Sequence, residues 1–312
     1  MINVLSLFDG ISTGRLAFYN ADRPVKYFAS EIDKNAIEIS KSNWDDIIHL
    51  GDVNYIDVKA LGKIDLLIGG SPCQGFSRAG KGLNFEDPRS VLFFKYVDVL
   101  KEIRSYNPDV KFFLENVHMK KEWIEVITEE LGVEPVDINS KVLSGQSRPR
   151  LYWTNIEGVE IEEVTENLSD VLEDNVDTSD YINMNGVLID PAISENERDL
   201  IEVFDGEVRI KQATKLGYIV ANDGDGINLS FPKSKTRRGR VIRQKSPTLD
   251  CQCNVCVYTN GVIRKLTITE KERLQTLPDN YTGKCGFSEA IRSKAIGNGW
   301  TERVIRQYFK AL

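Results

Sequence analysis

Cys73 lies in a loop of small and polar residues, SPCQGFS (71–77), directly after the strongly apolar run KIDLLIGG (63–70). Most cysteines are inert packing residues. Here Pro72 favours an extended backbone, and the loop follows a predicted strand at the edge of a sheet where ligands bind. A cysteine held as a thiolate in such a loop is a nucleophile. Cys73 is therefore the first candidate for a catalytic residue.

A carboxylate and two arginines are the next groups that can act on a substrate. Glu115 lies in FLENV (113–117), at the end of an apolar run. Arg148 and Arg150 stand two residues apart in QSRPRLYW (146–153). On a strand such residues share one face, and paired guanidinium groups suit a phosphate or a polarised carbonyl. Surface ion pairs or a helix-capping acid are the alternatives for these side chains.

The turn FDGISTG (8–14) joins a predicted strand to a helix. Its glycines let a ligand approach the backbone, and the helix N-terminus offers unpaired N–H groups. Glu31 ends the next strand, where a carboxylate accepts from ribose hydroxyls. Asp52 ends the third strand and is suited to an adenine amino group. The three positions predict a cofactor with a nucleoside, and the absence of GxGxxG disfavours a dinucleotide.

Strands and helices alternate over the first half of the chain. The apolar runs typical of buried strands are NVLSLF (3–8), KYFASE (26–31), IIHL (47–50), KIDLLIGGSP (63–72) and VKFFLENV (110–117). This alternation predicts an α/β fold, a doubly wound sheet with helices on both faces and ligands at the carboxyl ends of its strands. We expect a catalytic and cofactor-binding domain at 1–155, a smaller, irregular domain at 156–265, and a helical segment at 266–312.

Charge is distributed unevenly along the chain, whose net charge is −7. Residues 157–207 contain 17 acidic residues and one basic residue, Arg198. The run KSKTRRGRVIRQK (233–245) contains seven Lys or Arg and no acidic residue. Because affinity for phosphate depends on the local field, this run is a candidate nucleic-acid contact, with a solvated loop as the alternative. We expect 157–207 to face away from a bound nucleic acid.

Five cysteines in 312 residues indicate a reducing compartment rather than a disulfide framework. The set CxCxxC (251–256) with Cys285 lacks the paired CxxC halves of a zinc site, so we expect ordinary packing and no metal. No apolar run approaches the roughly 20 residues of a membrane span.

Eight segments follow one another along the chain: FDGISTG (8–14), SEID (30–33), GDV (51–53), GGSPCQGFS (69–77), FLENV (113–117), QSRPRLYW (146–153), SPTL (246–249) and IGNGWT (296–301). Together they resemble the DNA cytosine-5 methyltransferases, over about 1–155 and 240–312. The start LSLFDGISTG and Trp300 are closer to the animal de novo methyltransferases than to the usual bacterial form FxGxGG, and Ser12 stands where many bacterial members have glycine.

The resemblance implies a Rossmann-like, S-adenosylmethionine-dependent methyltransferase sheet, with a target-recognition domain at 156–265 and a tail at 266–312 that returns to the catalytic domain. It implies methyl transfer from S-adenosylmethionine to carbon 5 of a cytosine flipped out of a short, specific duplex DNA sequence. Cys73 adds to carbon 6, and Glu115 holds the base at nitrogen 3 and the amino group. Arg150 contacts the ring carbonyl, and Arg148 supports the site.

Two sets of binding residues follow from the resemblance and the basic run. The expected cofactor contacts are Phe8, Gly10, Gly14, Glu31, Ile32, Asp52, Val53, Pro72, Leu92 and Asn298. The expected DNA contacts are Gln74, Ser77, Lys235, Arg237, Arg238, Arg240 and Arg243. Ile32 replaces the aromatic residue that often stacks on adenine.

Two other functions stay open at this point. One branch of the resembled family methylates tRNA, although a recognition region of about 110 residues, 156–265, favours DNA. A catalytically inactive DNA-binding regulator is the second alternative, and the intact Cys73 and Glu115 argue against it. We expect a monomer in a bacterial or phage-infected cytoplasm, with double-stranded DNA as partner and either a cognate restriction endonuclease or a solitary role in a phage.

Overall fold

Residues 1–71, 91–252 and 254–312 are described by the computed structural model and divide into two units. The first comprises Met1–Asn139, Pro149–Glu162 and Gly299–Leu312, and the second comprises Ser140–Arg148 and Glu163–Asn298. These boundaries differ from the predicted ones, because most of the helical segment 266–312 belongs to the second unit. Among the described residues, no helix is long and apolar enough to cross a membrane.

The first unit is an α/β structure. Its strands are β1 (Ile2–Leu7), β2 (Val25–Ser30), β3 (Ile48–His49), β4 (Leu66–Gly69), β5 (Lys111–Asn116), β6 (Val136–Asn139) and β7 (Pro149–Thr154). Its helices are α1 (Thr13–Asn20), α2 (Lys34–Asn43), α3 (Val91–Tyr106), α4 (Lys121–Leu131) and, from the C-terminal segment, α8 (Glu302–Lys310).

The strands of the first unit form one sheet in the order β3-β2-β1-β4-β5-β7-β6. Strands β1 to β5 are parallel, and β7 runs antiparallel to both β5 and β6. The strand order reverses between β1 and β4, so the crevice at their carboxyl ends is the expected ligand site of a doubly wound sheet. The predicted doubly wound, Rossmann-like sheet is confirmed.

Helices cover both faces of this sheet, as adjacent residues of β5 demonstrate. Phe112 packs in the core with Val97 of α3 and Leu131 of α4. Phe113, whose side chain points to the opposite face, contacts Phe309 of α8 with ring centroids 5.8 Å apart. The sheet is therefore buried on both sides, which explains the continuous apolar strands of the sequence.

Helix α8 packs on α1 at this second face. The rings of Phe18 and Phe309 stack with centroids 4.1 Å apart. Asn20 Nδ2 donates to Glu302 Oε1 over 3.0 Å. These contacts fix the segment Gly299–Leu312 on the first unit and with it the position of Trp300.

The second unit contains mostly β-structure. Its strands are β8 (Ile182–Met184), β9 (Val187–Ile189), β10 (Ile201–Phe204), β11 (Glu207–Lys211), β12 (Tyr218–Ala221), β13 (Asp225–Asn228), β14 (Arg240–Ile242), β15 (Val255–Thr259) and β16 (Val262–Lys265). Its helices are α5 (Glu195–Arg198), α6 (Ile268–Leu274) and α7 (Glu289–Asn298). The strands form a sheet in the order β10-β11-β12 and another in the order β14-β13-β15-β16-β9-β8.

This unit is more regular than the sequence indicates, which corrects the expectation of an irregular domain. Its hairpins turn at Asn185-Gly186, Asp205-Gly206 and Asn260-Gly261, and φ is positive at all six residues. Such Asn-Gly and Asp-Gly pairs favour the two-residue turns that match the twist of the flanking strands. The strands have only three to five residues, too few for a clear alternation of apolar and polar residues.

Candidate active site

The turn after β1 and the end of β2 are joined by the carboxylate of Glu31. Its Oε2 accepts from Gly10 N over 2.8 Å, and its Oε1 accepts from the backbone N–H groups of Ile32 and Asp33, each over 2.8 Å. The two hydrogen bonds to Oε1 use both lone pairs of that oxygen, whereas Oε2 has one lone pair left to accept a further hydrogen bond. A ribose hydroxyl fits this remaining position.

The space in front of this carboxylate is open and has one apolar neighbour. Gly10 has a φ of +60°, and nothing lies within 4 Å of the position where a Cβ would stand. Ile32 is 68% exposed, unusual for a large aliphatic residue. Asp52, beyond β3, accepts from Asn54 N and Nδ2 at its Oδ1. A polar edge, an open backbone and an exposed apolar side chain are the features that an adenosine group requires.

The other predicted cofactor residues of this unit have different surroundings. Gly14 lies against the side chains of Tyr27 and Ile68. A Cβ at this position would be only 2.6 Å from Tyr27 Oη and 2.8 Å from Ile68 Cδ1. Val53 is buried in the hydrophobic core of the first unit, and Phe8 and Leu92 pack against that core from partly exposed positions. The side chains of these three residues shape the interior of the unit, and the predicted contacts of all four residues with the cofactor remain predictions.

Asp9 lies inside the first turn. Its Oδ1 accepts from Tyr27 Oη over 2.7 Å, and its Oδ2 accepts from Ser12 Oγ. Burial raises the pKa of this carboxyl group to about 6, although these hydrogen bonds oppose the change. Phe8 and Ser12, on either side, both have a positive φ, a conformation that residues other than glycine rarely adopt. The hydrogen bonds of Asp9 therefore stabilise an unfavourable backbone conformation in this turn.

Glu115 and Arg150 form the centre of the site at the carboxyl end of β5. Arg150 Nε lies 2.8 Å from Glu115 Oε1, and both side chains are only 12% exposed. The indole of Trp300 donates from Nε1 to Glu115 Oε2 over 3.1 Å. Two donors thus hold the two oxygens of one carboxylate, as a group that must present fixed edges to a substrate requires.

The residue after Glu115 ties β5 to the loop that follows β4. Asn116 Nδ2 donates to Ser71 Oγ over 3.0 Å, and both residues are buried. Asn116 Oδ1 accepts from Val117 N over 2.8 Å. Ser71 is the last described residue before Cys73, so this bond anchors the chain two residues before the predicted nucleophile.

Several predicted residues lie outside the described part of the chain. They are Pro72, Cys73, Gln74, Ser77 and, in the cysteine set, Cys253. Of the other cysteines, Cys251 is exposed, and Cys256 is buried in the core of the second unit, where burial raises its pKa to about 12.

Arg148 belongs to the second unit. Its Nη1 donates to Leu249 O over 2.7 Å and its Nη2 to Gly297 O over 3.0 Å, with the side chain buried. These bonds join three distant segments of that unit. The geometry gives Arg148 a structural role, while its predicted support of the reacting base remains a prediction.

Asn298 ends α7 in the second unit and is exposed. Its Oδ1 accepts from Cys251 Sγ over 2.8 Å. Its predicted contact with the cofactor remains a prediction.

The basic run divides into exposed and internally bonded cations. Lys235, Arg237 and Arg240 are exposed. In contrast, Arg238 Nη2 donates to Gln212 O over 3.3 Å, and Arg243 Nη1 is paired with the buried carboxylate of Asp225. The first three are therefore available to a ligand, whereas the other two also stabilise the unit.

An exposed aromatic ring accompanies these cations. Phe231 is 54% exposed and has a φ of +60°, a costly backbone conformation for a bulky residue. The Arg237 guanidinium lies 4.7 Å from the centroid of its ring. An aromatic ring next to an exposed cation suits contact with nucleic-acid bases and phosphates.

The acidic stretch is only partly separated from the basic run. Strands β8 and β14 are the opposite edges of the larger sheet, about 24 Å apart at the usual strand spacing of roughly 4.8 Å. However, Asp199 and Glu202 line the same surface depression as Lys233 and Arg238. Part of the acidic stretch therefore lies next to the basic run, and the expectation that 157–207 faces away from bound DNA remains a prediction.

Trp300 and Asn116 are the site residues that sequence reasoning missed. Asn116 had a signal, since it directly follows Glu115 in FLENV. Trp300 stands 185 residues from the carboxylate that it contacts, and no local spacing reveals such a pair. Only the return of the C-terminal segment to the first unit brings it there.

Comparisons with known proteins agree on one family. A family model described as C-5 cytosine-specific DNA methylase matches residues 2–312. Type II methyltransferase M1.ScrFI of Lactococcus lactis subsp. cremoris is 30% identical over 314 residues, which cover 95% of this chain and 74% of that protein. Type II methyltransferase M.HpaII of Haemophilus parainfluenzae is 32% identical over 321 residues, which cover 94% of this chain and 84% of that protein.

A solved structure shares the fold. The methyltransferase EhMeth of Entamoeba histolytica superposes with a TM-score of 0.66 at 18% identity, covering 99% of this chain and 98% of that one. At this identity the likeness concerns the fold.

Proposed function

The chain belongs to the C-5 cytosine-specific DNA methylase family, and from this premise we propose that Cys73, Glu115 and Arg150 carry out the methyl transfer. The enzyme is a DNA (cytosine-5-)-methyltransferase that uses S-adenosylmethionine as methyl donor. The observation that supports the residue assignment best is the carboxylate of Glu115, held between Arg150 and Trp300 at the carboxyl end of β5.

Carbon 5 of cytosine is a poor nucleophile, and the proposed residues correct this. The thiolate of Cys73 forms a bond to carbon 6, and the electron pair of the 5,6 double bond moves through the ring to nitrogen 3, which takes a proton from Glu115. Arg150 donates to the ring carbonyl and orients the base. S-adenosylmethionine, when bound, supplies an electrophilic methyl group.

The remaining steps return the residues to their starting forms. Carbon 5 bonds to the methyl group, whose bond to the sulfur of the donor breaks with the electron pair left on sulfur, and the nitrogen 3 proton goes back to Glu115. Water takes the proton of carbon 5, and the electron pair of that bond restores the double bond as Cys73 leaves carbon 6 as a thiolate. Asn116 keeps Ser71 in place throughout, so the chain that carries Cys73 starts from a fixed point.

Glu31, Gly10, Ile32 and Asp52 are proposed to hold the adenosine part of the cofactor. The Oε2 atom of Glu31 keeps an acceptor position for a ribose hydroxyl, and the exposed side chain of Ile32 offers an apolar surface for adenine. Asp52 uses Oδ1 for Asn54, and its Oδ2 is proposed to accept from the adenine amino group.

The second unit is proposed to read the DNA sequence. Lys235, Arg237 and Arg240 are exposed and contact phosphates or guanine edges, and Phe231 adds an apolar contact to a base. The target base is flipped out of the duplex, because carbons 5 and 6 are inaccessible inside the stack. Gln74 and Ser77 are proposed to fill the resulting gap.

We further propose that the enzyme acts as a monomer in a bacterial or phage-infected cytoplasm, paired in function with a restriction endonuclease. The pairing with a restriction endonuclease is supported by relatives named type II methyltransferases, which match nearly the whole chain.

The test is to express the chain in a host without DNA methylation and to sequence the host DNA after bisulfite conversion. We expect protection of cytosine within one short motif, and no protection with the variant Cys73→Ser. If wild-type DNA is unprotected while purified protein transfers label to tRNA, the substrate assignment is wrong. Protection that persists in Cys73→Ser contradicts the proposed nucleophile.

A further inference from the structure

Trp300 directs its indole N–H group at the carboxylate of Glu115, and its partly buried ring packs on Phe113. Its Nε1 lies 3.1 Å from Glu115 Oε2. Its ring meets Phe113 edge to face, with centroids 5.8 Å apart and planes at 77°. The contact to Phe113 fixes the ring, so the direction of the N–H group is fixed as well.

Gly70 makes room for this ring. A Cβ on Gly70 would lie 2.8 Å from Trp300 Nε1 and 3.2 Å from Glu115 Oε2. The glycine turn after β4 therefore has the shape that an indole next to Glu115 requires.

The torsion that orients a glutamate carboxylate is broad, so a single donor leaves its plane free to turn about that donor. In this chain Arg150 holds Oε1 and Trp300 holds Oε2, which fixes the plane. The two donors differ in charge, because an indole N–H is neutral and a guanidinium is cationic. Trp300 therefore adds direction without adding a second positive charge.

We propose that Trp300 is a positioning residue for Glu115: its N–H group sets the plane in which the carboxyl group meets the ring of the flipped cytosine. The proposal rests on the proposed role of Glu115. It also assigns a task to the C-terminal segment, because α8 and the stack of Phe309 on Phe18 anchor the chain next to Trp300.

The decisive variant is Trp300→Phe, which keeps an aromatic ring for Phe113 and removes the N–H group. Trp153→Phe is the matched control, since Trp153 Nε1 donates to Thr128 Oγ1 over the same 3.1 Å at a buried position elsewhere in the first unit. We expect kcat for DNA methylation to fall about 10-fold in Trp300→Phe, a typical effect of one hydrogen bond of about 1.4 kcal/mol to a charged group.

The Kd for S-adenosylmethionine and the KM for DNA separate positioning from binding. We expect both to stay within about twofold of wild type in Trp300→Phe, because the ring remains and the lost bond acts on Glu115. The rate of covalent trapping on duplex DNA with 5-fluorocytosine should fall as much as kcat. Trp153→Phe should leave kcat unchanged while lowering the melting temperature.

Three results distinguish the ways in which this proposal can fail. A wild-type kcat in Trp300→Phe, with Glu115→Gln inactive, overturns the positioning role and leaves the proposed function intact. A weaker Kd for the cofactor with unchanged kcat makes Trp300 a binding residue instead. An active Glu115→Gln contradicts the proposed function itself.

If Trp300→Phe does not fold, the measurement is made with benzothienylalanine incorporated at position 300. This residue has the shape of tryptophan with sulfur in place of the N–H group. A folded protein with wild-type kcat overturns the proposal, and a fall of about 10-fold supports it.

Discussion

Arg150 Nε lies 2.8 Å from Glu115 Oε1, although the two residues are not directly opposite in the sheet. The antiparallel register pairs Glu115 with Tyr152, which places Arg150 two residues further along the same face. A diagonal pair of this kind is within reach of a long side chain. The antiparallel β7 thus delivers a guanidinium to the carboxyl end of a parallel strand.

Arg150→Ala should reduce both activity and stability. Glu115 keeps only the Trp300 bond in a site with little solvent, so we expect a loss of about 1–3 kcal/mol in the free energy of unfolding. We expect kcat to fall at least 100-fold, because the contact to the ring carbonyl is lost as well. Lys101→Ala, which removes an exposed pair with Glu130, is the control and should change neither quantity. Wild-type kcat in Arg150→Ala contradicts the assignment.

Gly70→Ala should inactivate the enzyme more than it destabilises it. The added Cβ would lie 2.8 Å from Trp300 Nε1 and 3.2 Å from Glu115 Oε2, so both groups must move. Gly145→Ala is a matched control, since its Cβ would meet Asn167 O at 2.9 Å in the second unit. We expect a fall in kcat of at least 10-fold for Gly70→Ala and a lower melting temperature with nearly normal kcat for Gly145→Ala. Equal kcat values in the two variants would speak against the close packing of the site.

The cations of the basic run should separate into two groups. Arg237→Ala and Arg240→Ala should weaken DNA binding and lower the slope of log affinity against log salt by about one each, without changing the melting temperature. Arg243→Ala leaves the buried Asp225 without its ion pair and should lower the free energy of unfolding by about 1–3 kcal/mol. Titrations of a duplex at several salt concentrations, with thermal unfolding in parallel, test this division. If the salt slopes of Arg237→Ala and Arg240→Ala equal that of the wild type, the basic run does not contact the DNA.

Asp9 should make the protein relatively more stable in mild acid. Its pKa rises from 3.8 to about 6 on folding, so the folded state binds the proton more tightly than the unfolded state. The resulting stability is present below pH 3.8 and is lost as the pH rises through 6. Compared with Asp9→Asn, the wild type should lose about 2 kcal/mol between pH 4 and pH 7, at 1.36 kcal/mol for each pKa unit.

Denaturant unfolding of both proteins at unit steps of pH measures this difference. Asp279→Asn is a control with the opposite pH dependence. The hydrogen bond from Arg273 lowers the pKa of Asp279, so this carboxylate stabilises the folded protein at neutral pH and loses that effect as the pH falls. A difference between wild type and Asp9→Asn that does not vary with pH would contradict a buried, protonated Asp9.

Much of the first unit was predictable from the sequence because its strands are buried on both faces. The expected strands at 3–8, 26–31 and 110–117 correspond to Ile2–Leu7, Val25–Ser30 and Lys111–Asn116. The resemblance also placed Glu115 and Arg150 in one site, and their ion pair agrees with that placement.

The rest depended on contacts that local patterns do not encode. The short hairpins of the second unit give no clear alternation, although their Asn-Gly and Asp-Gly turns were readable. The spacing of Arg148 and Arg150 predicts only that they share one face of a strand, and it does not reveal that Arg148 binds the carbonyl groups of Leu249 and Gly297. Those contacts come from segments more than 100 residues away.

The most direct test of the account is to identify the cysteine that bonds to the target base. The enzyme is incubated with S-adenosylmethionine and a duplex that carries 5-fluorocytosine at the target position, and the trapped complex is digested and examined by mass spectrometry. Release of the enzyme requires loss of a proton from carbon 5. Because fluorine replaces that hydrogen and cannot be removed by a base, the bond between the cysteine and carbon 6 persists. We expect the modified peptide to carry the base on Cys73. A base found on the exposed Cys251, or no covalent complex at a site that the enzyme methylates, would contradict it.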